Sequence, residues 1–118
     1  MDNSAKNQTQ NRRAVIDIGS NSVKLLIADV AGNVVTPLVH EGEQTRLGRG
    51  AFETGLLQPA AIEDTIRVVA DFAGKARGHG ATQIRVLATS AARDATNSDE
   101  LTASMTVIGL NLEIISGE

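Results

Sequence analysis

The sequence contains no cysteine, tryptophan or tyrosine, and its phenylalanines are limited to Phe52 and Phe72. Without cysteine the chain forms neither disulfides nor thiolate metal sites. Proteins that bind single-stranded nucleic acid stack its bases on aromatic rings, so two phenylalanines leave almost nothing for such a platform. Base stacking is therefore nearly excluded as a way for this chain to bind a ligand.

Basic residues are also scarce relative to acidic ones. Eleven Lys and Arg stand against fourteen Asp and Glu, giving a net charge of −3. Because nucleic-acid-binding surfaces are normally basic, we expect no nucleic-acid partner. An anion site in this chain has to be local.

No apolar run approaches the roughly 20 residues of a membrane helix, so we expect no membrane partner. The first dozen residues are rich in Asn and Gln and lack the apolar stretch of a secretory signal. We expect residues 1–12 to form a disordered leader and residues 13–118 a single folded domain. The lack of cysteine is compatible with the cytoplasmic location that we expect.

Apolar runs separated by glycine-rich breaks predict five strands and two helices. The predicted strands are residues 14–18, 23–30, 34–40, 84–89 and 112–115. Pro37 favours an edge position for the third strand. A loop is expected over residues 41–56, then a helix from about Pro59 to the glycines near residue 78. Asn97 and Glu100 form a plausible capping pair for a second helix ending at Gly109.

The order β-β-β-α-β-α-β predicts an α/β fold with a mixed five-stranded sheet in the order 3-2-1-4-5. Right-handed crossovers place both helices on one face of this sheet. The first strand is nevertheless apolar on both sides, and no further helix follows to cover the second face. We therefore expect the chain to be truncated after its fifth strand.

Ligands of open α/β sheets bind where the carboxyl ends of parallel strands meet. Three polar segments converge there in the predicted fold, at residues 17–22, 89–93 and 116–118. In the first, Gly19 permits close approach of the backbone, successive amides can form an anion-binding nest, and Ser20, Asn21 and Ser22 add donors. Asp17 is a carboxylate beside this phosphate-type loop, an arrangement typical of Mg²⁺ bound partly through water.

The second segment contributes Ser90 and Arg93, whose planar guanidinium can hold a phosphate through two hydrogen bonds. Further phosphate candidates are Arg46 and Arg49 from the glycine-rich loop and Lys24 at the start of the second strand. Taken alone, each of these residues can be explained without a ligand, as a turn residue or as a solvated charge. Only their convergence on one sheet edge favours a phosphate site.

The stretch AVIDIGSNSVKLLIA at residues 14–28 resembles the opening phosphate loop of the exopolyphosphatase and guanosine-pentaphosphatase (Ppx/GppA) family. Three later stretches are similar to family motifs in the same order: RLGRG at 46–50, VLATSAARDA at 86–95 and LEIISG at 112–117. The first motif alone would leave the wider actin, hexokinase and Hsp70 superfamily open, and the four together favour Ppx/GppA.

This resemblance implies one of two RNase H-like halves of an actin-like fold, with the active site in the cleft between them. It implies Mg²⁺-dependent release of terminal phosphate from inorganic polyphosphate, or conversion of guanosine pentaphosphate to tetraphosphate. By motif position, Asp17 and residues 19–22 would be the first phosphate loop, Arg93 would contact substrate phosphate, and Lys24 would lie near the phosphate chain. A homodimer is implied for the complete protein.

The family's catalytic carboxylate lies in a Ser-Gly-any-Glu-Glu-Ala stretch, and this sequence ends Ser116-Gly117-Glu118. Glu118 is the catalytic candidate within this sequence, although in the simplest register the general base is the residue after it. The second phosphate loop, of the Asp-Ile-Gly-Gly-Gly-Ser type, is absent from these 118 residues. We therefore expect this chain to be inactive alone.

Two other functions stay open from the sequence. One is a phosphotransferase or ATPase of the same superfamily, similar to acetate kinase, sugar kinases or Hsp70, since the first phosphate loop would serve either. The other is a non-catalytic sensor of phosphate-rich ligands.

Overall fold

A computed structural model of the chain describes residues 11–115, and within this range it contains five strands and four helices. The strands are β1 Arg12–Ile18, β2 Ser22–Ala31, β3 Val34–Gln44, β4 Gln83–Ala88 and β5 Leu112–Ile114. The helices are α1 Ala51–Thr54, α2 Pro59–Gly78, α3 Ser90–Asp94 and α4 Ser98–Val107. None of these helices is both long and apolar enough to cross a membrane.

The five strands form one mixed sheet in the order β3-β2-β1-β4-β5, as the sequence predicts. Strands β1, β2 and β3 are an antiparallel meander, and β4 and β5 are parallel to β1. Pro37 lies on the edge strand β3, where its missing N–H costs no central ladder bond, and the register with β2 shifts beside it.

The hydrophobic core lies on one face of this sheet. Side chains alternate across a strand, so Ala14, Ile16 and Ile18 of β1 all point into it and are at most 1% exposed. Helix α2 packs against β1 and β2, and α4 packs beside α2 and against β5. The prediction that the helices share one face is confirmed.

The opposite face of the sheet is uncovered within residues 11–115. It presents Val15, Asp17, Lys24, Leu26 and Leu87, which are all half-buried or exposed. An aliphatic patch of this kind beside charged residues is only partly removed from water.

The ends of two predicted strands differ from the structure by two residues or more. Strand β1 begins at Arg12, inside the predicted leader, because the Arg12 guanidinium donates two hydrogen bonds to Asp29 across the β1–β2 pair, at 2.7 and 3.1 Å. Residues 1–10 lie outside the described range. Strand β3 runs on to Gln44 rather than ending at His40, because β2 continues to offer ladder partners as far as Ser22.

Two short helices, α1 and α3, occupy stretches that were predicted as loop or turn. Helices of 4 and 5 residues give no detectable periodicity, and tertiary contacts hold them: Ala51, Ala91 and Ala92 all belong to the core cluster.

Asn97 does precede helix α4, but its side chain does not cap it. The amide group instead spans to the loop before α2, where Oδ1 accepts from the Leu57 N–H at 2.8 Å and Nδ2 donates to the Leu57 carbonyl at 3.0 Å. Nδ2 also donates to Glu100 Oε2 at 3.0 Å. The predicted Asn97–Glu100 pair therefore exists, and its main effect is to satisfy the backbone of the buried Leu57.

We predict that Asn97→Asp lowers the free energy of unfolding by about 1–3 kcal/mol, because the carboxylate keeps the acceptor but leaves the Leu57 carbonyl without a donor. Urea unfolding of the chain measures this. Asn111→Asp, an exposed position before β5, controls for the added charge. An equal effect of both substitutions would contradict this role of Asn97.

A second prediction concerns the edge strand β5, which Arg85 of β4 joins through two hydrogen bonds to Glu113, at 2.7 and 3.0 Å. These bonds hold the pKa of the Glu113 carboxyl below its ordinary value of 4.5. A depressed carboxyl pKa contributes stability above the unfolded-state value, and this is lost as pH falls through the folded-state value.

Glu113→Gln should accordingly lower the urea midpoint at pH 7, and the gap from the unsubstituted chain should close as pH falls below about 4.5. Urea unfolding between pH 3 and pH 7 tests this, and a gap that persists unchanged at the acid end would contradict it.

Candidate phosphate-binding site

The carboxyl ends of β1 and β4 lie side by side, since the parallel register pairs Ile18 with Ala88. The next residues on both strands stay together, because the Thr89 N–H donates to the Ile18 carbonyl at 3.2 Å. The turn after β1 and the start of α3 after β4 are thus neighbours at one edge of the sheet.

A side-chain hydrogen bond joins these two segments directly. The hydroxyl oxygens of Ser20 and Ser90 are 3.0 Å apart, although 70 positions separate them in the sequence. Both side chains are partly buried. The first two polar segments predicted to converge therefore do so.

The turn is held from behind by the segment that follows β3. The Gly48 N–H donates to the Ser20 carbonyl at 2.8 Å, and the Thr45 and Arg46 N–H groups donate to the Asn21 carbonyl at 3.1 and 3.0 Å. Within residues 11–115 the N–H groups of Ser20 and Asn21 have no hydrogen-bond partner. Two successive free amides are the element from which anion-binding nests are made.

Gly19 and Gly48 both use their N–H groups inside the protein, and Gly48 also permits a close approach of the backbone. The Gly19 N–H closes the turn on the Ser22 carbonyl at 2.9 Å, so it is not free for a ligand. A Cβ on Gly48 would lie 3.2 Å from Ser20 Cβ and 3.3 Å from the Ser20 carbonyl oxygen. Sequence reasoning assigned no role to Gly48, and the only available signal was the density of glycine in residues 46–50.

Asp17 and Lys24 are directly opposite each other on the antiparallel pair β1–β2. Both are exposed on the uncovered face, just before and after the turn. The Lys24 side chain passes over Gly42, whose Cβ position would be 3.7 Å from Lys24 Cγ. A carboxylate and an ammonium therefore flank the turn on the same side of the sheet.

The fit to Mg²⁺ can be judged from the donors present. No three Asp, Glu, His or Cys side chains cluster anywhere in residues 11–115. Mg²⁺ commonly binds one or two carboxylates and completes its shell with waters and substrate phosphates. Asp17 can serve as the single carboxylate ligand in such a site. The described residues do not provide a site in which protein side chains supply every ligand.

Arg93 lies on α3, one turn beyond Thr89, and its N–H donates to the Thr89 carbonyl at 3.0 Å. Its guanidinium is exposed and bonds only Asp94 in the described structure, through Nε at 3.2 Å. This leaves both terminal amino groups of Arg93 available to an anion.

Arg46 and Arg49 are both exposed and line a pocket between the glycine-rich loop and the start of α2. Arg46 is bonded to the turn through its backbone, as described above. The third segment predicted at this edge, residues 116–118 with Glu118, lies outside the described residues.

These features define an α/β half-domain: a mixed five-stranded sheet with helices on one face and a glycine-serine turn at its carboxyl edge. Comparison with known proteins gives the family. The sequence model of the Ppx/GppA phosphatase family matches residues 26–118. The chain therefore belongs to this family.

Several curated relatives are exopolyphosphatases. Exopolyphosphatase 2 of Mycobacterium tuberculosis is 39% identical over 116 residues, covering 90% of this chain and 36% of the relative. Exopolyphosphatase 1 of Mycobacterium leprae is 30% identical over 108 residues, covering 90% of this chain and 32% of the relative. The chain thus spans about a third of the length of these relatives.

Solved structures of the family share the fold. The Ppx/GppA family member of Aquifex aeolicus superposes with a TM-score of 0.85 at 35% identity, covering 91% of this chain and 35% of that one. An exopolyphosphatase from Cytophaga hutchinsonii gives a TM-score of 0.83 at 27% identity, covering 90% and 34%.

We predict that Ser20 and Ser90 are energetically coupled, because each is the hydrogen-bond partner of the other at the sheet edge. A double-mutant cycle of Ser20→Ala and Ser90→Ala, measured by urea unfolding, should give a coupling energy of about 0.5–1.5 kcal/mol. Ser20→Ala paired with Ser104→Ala on α4 is the control and should be additive. Additivity in the Ser20–Ser90 cycle would contradict the link.

Proposed function

We propose that this chain supplies the first phosphate-binding loop of a Mg²⁺-dependent phosphoanhydride hydrolase. The proposed substrates are inorganic polyphosphate, which would lose its terminal phosphate, and guanosine pentaphosphate, which would become the tetraphosphate. The observation that carries the proposal is that the Ser20 and Asn21 N–H groups have no hydrogen-bond partner within residues 11–115, beside the Ser20–Ser90 hydrogen bond. The exopolyphosphatase names of the curated relatives support the choice of polyphosphate.

The proposed site works mainly by positioning and charge stabilisation, as is usual in phosphoryl transfer. The amides of Ser20 and Asn21 hold oxygens of the terminal phosphoryl group, with the Ser22 hydroxyl as a further donor. Because the backbone carbonyls behind them are fixed by residues 45–48, these donors need no rearrangement when charge develops.

Arg93 supplies positive charge to the same group. Its Nε contact with Asp94 is an exposed interaction with an adjacent residue, so exchanging it for a phosphate costs little. A planar guanidinium then binds two phosphate oxygens at once. Ser90 fixes the direction of the Ser20 hydroxyl, and Lys24 faces the more distant phosphates.

Bound Mg²⁺ would neutralise charge on the phosphate oxygens, and Asp17 would hold it, directly or through water. Asp17 is exposed at the end of β1, so it can meet a hydrated ion without burying an unpaired charge. We assign the general base to the sequence at or just beyond Glu118, so hydrolysis is proposed for the complete enzyme and inactivity for these 118 residues alone.

A chimera tests the proposal: residues 1–118 replace the matching segment of Mycobacterium tuberculosis exopolyphosphatase 2. Phosphate release is measured with polyphosphate, guanosine pentaphosphate and ATP. In the chimera, Arg93→Gln should lower kcat/KM for the true substrate by about 10²–10³-fold, because it removes a transition-state donor. Asp17→Ala should lower turnover to a similar extent and raise the Mg²⁺ concentration needed.

Arg67→Gln, an exposed arginine on α2, is the matched control and should leave kcat/KM unchanged. Circular dichroism should show that all variants stay folded. Near-normal phosphate release by folded Arg93→Gln or Asp17→Ala would sink the assignment, and release from ATP alone would favour the kinase-like or ATPase alternative.

A further inference from the structure

Gly42 lies in the interior of the edge strand β3, where glycine weakens a strand because it has no side chain to pack. Its backbone does not require glycine, since φ at this position is not in the left-handed region. A glycine in a strand often marks a place where another group approaches closely. At Gly42 that group is the side chain of Lys24, which lies directly opposite on β2.

Lys24 has a neighbour on each side in the row that crosses the uncovered face. Gly42 of β3 is opposite it on one side and Asp17 of β1 on the other. Opposite residues of an antiparallel pair have Cβ atoms about 4.5–5.5 Å apart, so a lysine and an aspartate placed in this way can form an ion pair. The ion pairs within residues 11–115 nevertheless include neither Asp17 nor Lys24. The Lys24 side chain passes over Gly42, with its Cγ 3.7 Å from the position that a Cβ would take there.

The other end of the same strand pair does contain such an ion pair. Arg12 of β1 and Asp29 of β2 are also directly opposite each other, and Arg12 Nε is 2.7 Å from Asp29 Oδ1. Opposite placement on these two strands therefore allows an ion pair. Lys24 differs in having open space over Gly42 on its other side.

We infer that Gly42 is a positioning residue of the phosphate site. The space over Gly42 accepts the Lys24 side chain and keeps its ammonium group from pairing with Asp17. In an ion pair, the carboxylate would bind a cation less well and the ammonium would bind a phosphate less well. The consequence for catalysis rests on the proposed function, whereas the position of Lys24 does not.

The space over Gly42 is limited. A Cβ at residue 42 would make ordinary contacts, at 3.7 Å from Lys24 Cγ and 3.8 Å from the Val23 carbonyl oxygen. One methyl group therefore fits beside the Lys24 side chain, and we expect the two further methyl groups of a valine to displace it. Because valine has a high strand propensity, Gly42→Val should not lower the thermal midpoint.

The first test follows Lys24 by NMR in the 118-residue chain. The unsubstituted chain should show a nuclear Overhauser effect between the Lys24 γ protons and the Gly42 α protons. In Gly42→Val, the Lys24 side chain should instead show contacts to the Asp17 β protons. His40→Val is the control, because it adds the same side chain two residues earlier on the same face and should leave the Lys24–Gly42 contact in place. A Lys24 side chain that stays away from Asp17 in folded Gly42→Val would overturn the inference.

The second test uses the chimera with exopolyphosphatase 2 and measures the Mg²⁺ concentration that gives half-maximal phosphate release. Gly42→Val should raise this concentration about two- to fivefold, the range for one exposed ion pair that competes with the cation. In a Lys24→Met background the same substitution should have no effect, because no ammonium group remains to pair with Asp17. Equal effects of Gly42→Val in the two backgrounds would overturn the inference.

These two tests distinguish a failure of the inference from a failure of the proposed function. If Asp17→Ala leaves phosphate release by the chimera unchanged, the proposed function is wrong, and the NMR contacts still decide where Lys24 lies. If Lys24 does not move in Gly42→Val, the inference is wrong even where Asp17→Ala lowers turnover.

Discussion

The site depends on two backbone carbonyl oxygens, those of Ser20 and Asn21. Both accept hydrogen bonds from the segment after β3, which brings three N–H groups to them at 2.8–3.1 Å. Because a trans peptide places its N–H opposite its carbonyl, holding the Ser20 carbonyl turns the Asn21 N–H away from the loop, and within residues 11–115 neither this N–H nor that of Ser20 has a hydrogen-bond partner. The direction of the Asn21 N–H is therefore a consequence of the way the glycine-rich loop packs behind the turn.

This packing explains the position of Gly48. The loop approaches Ser20 so closely that a side chain at residue 48 would press on both its Cβ and its carbonyl oxygen. It also explains the left-handed backbone of Arg46, since two successive N–H groups must reach the single carbonyl of Asn21. The left-handed backbone of Arg46 and the fixed carbonyls of the turn are thus two results of the same loop packing.

Much of the site could be predicted from sequence, because it follows chain order. Parallel strands separated by a helical crossover bring their carboxyl ends to one edge, so residues 17–22 and 89–93 had to be neighbours. The bonds from the Asn97 side chain to the backbone of Leu57 could not be predicted. A residue that caps its own helix and one that bonds a distant backbone have the same sequence pattern. The continuation of β3 to Gln44 could not be predicted either. Glu41, Gly42 and Glu43 have low strand propensity, and hydrogen bonds to β2 keep them extended.

By itself the sequence determined the strand order, the helix-bearing face and the family, because apolar periodicity and motif order are local properties of the chain. The tertiary structure alone decided which donors are free. Whether the N–H of Gly19, Ser20 or Asn21 points to solvent depends on hydrogen bonds between segments about 25 to 30 residues apart and within the turn, which no local pattern records. It also brought Arg46, Arg49 and the start of α2 around one pocket, because their meeting depends on how α2 docks against the sheet.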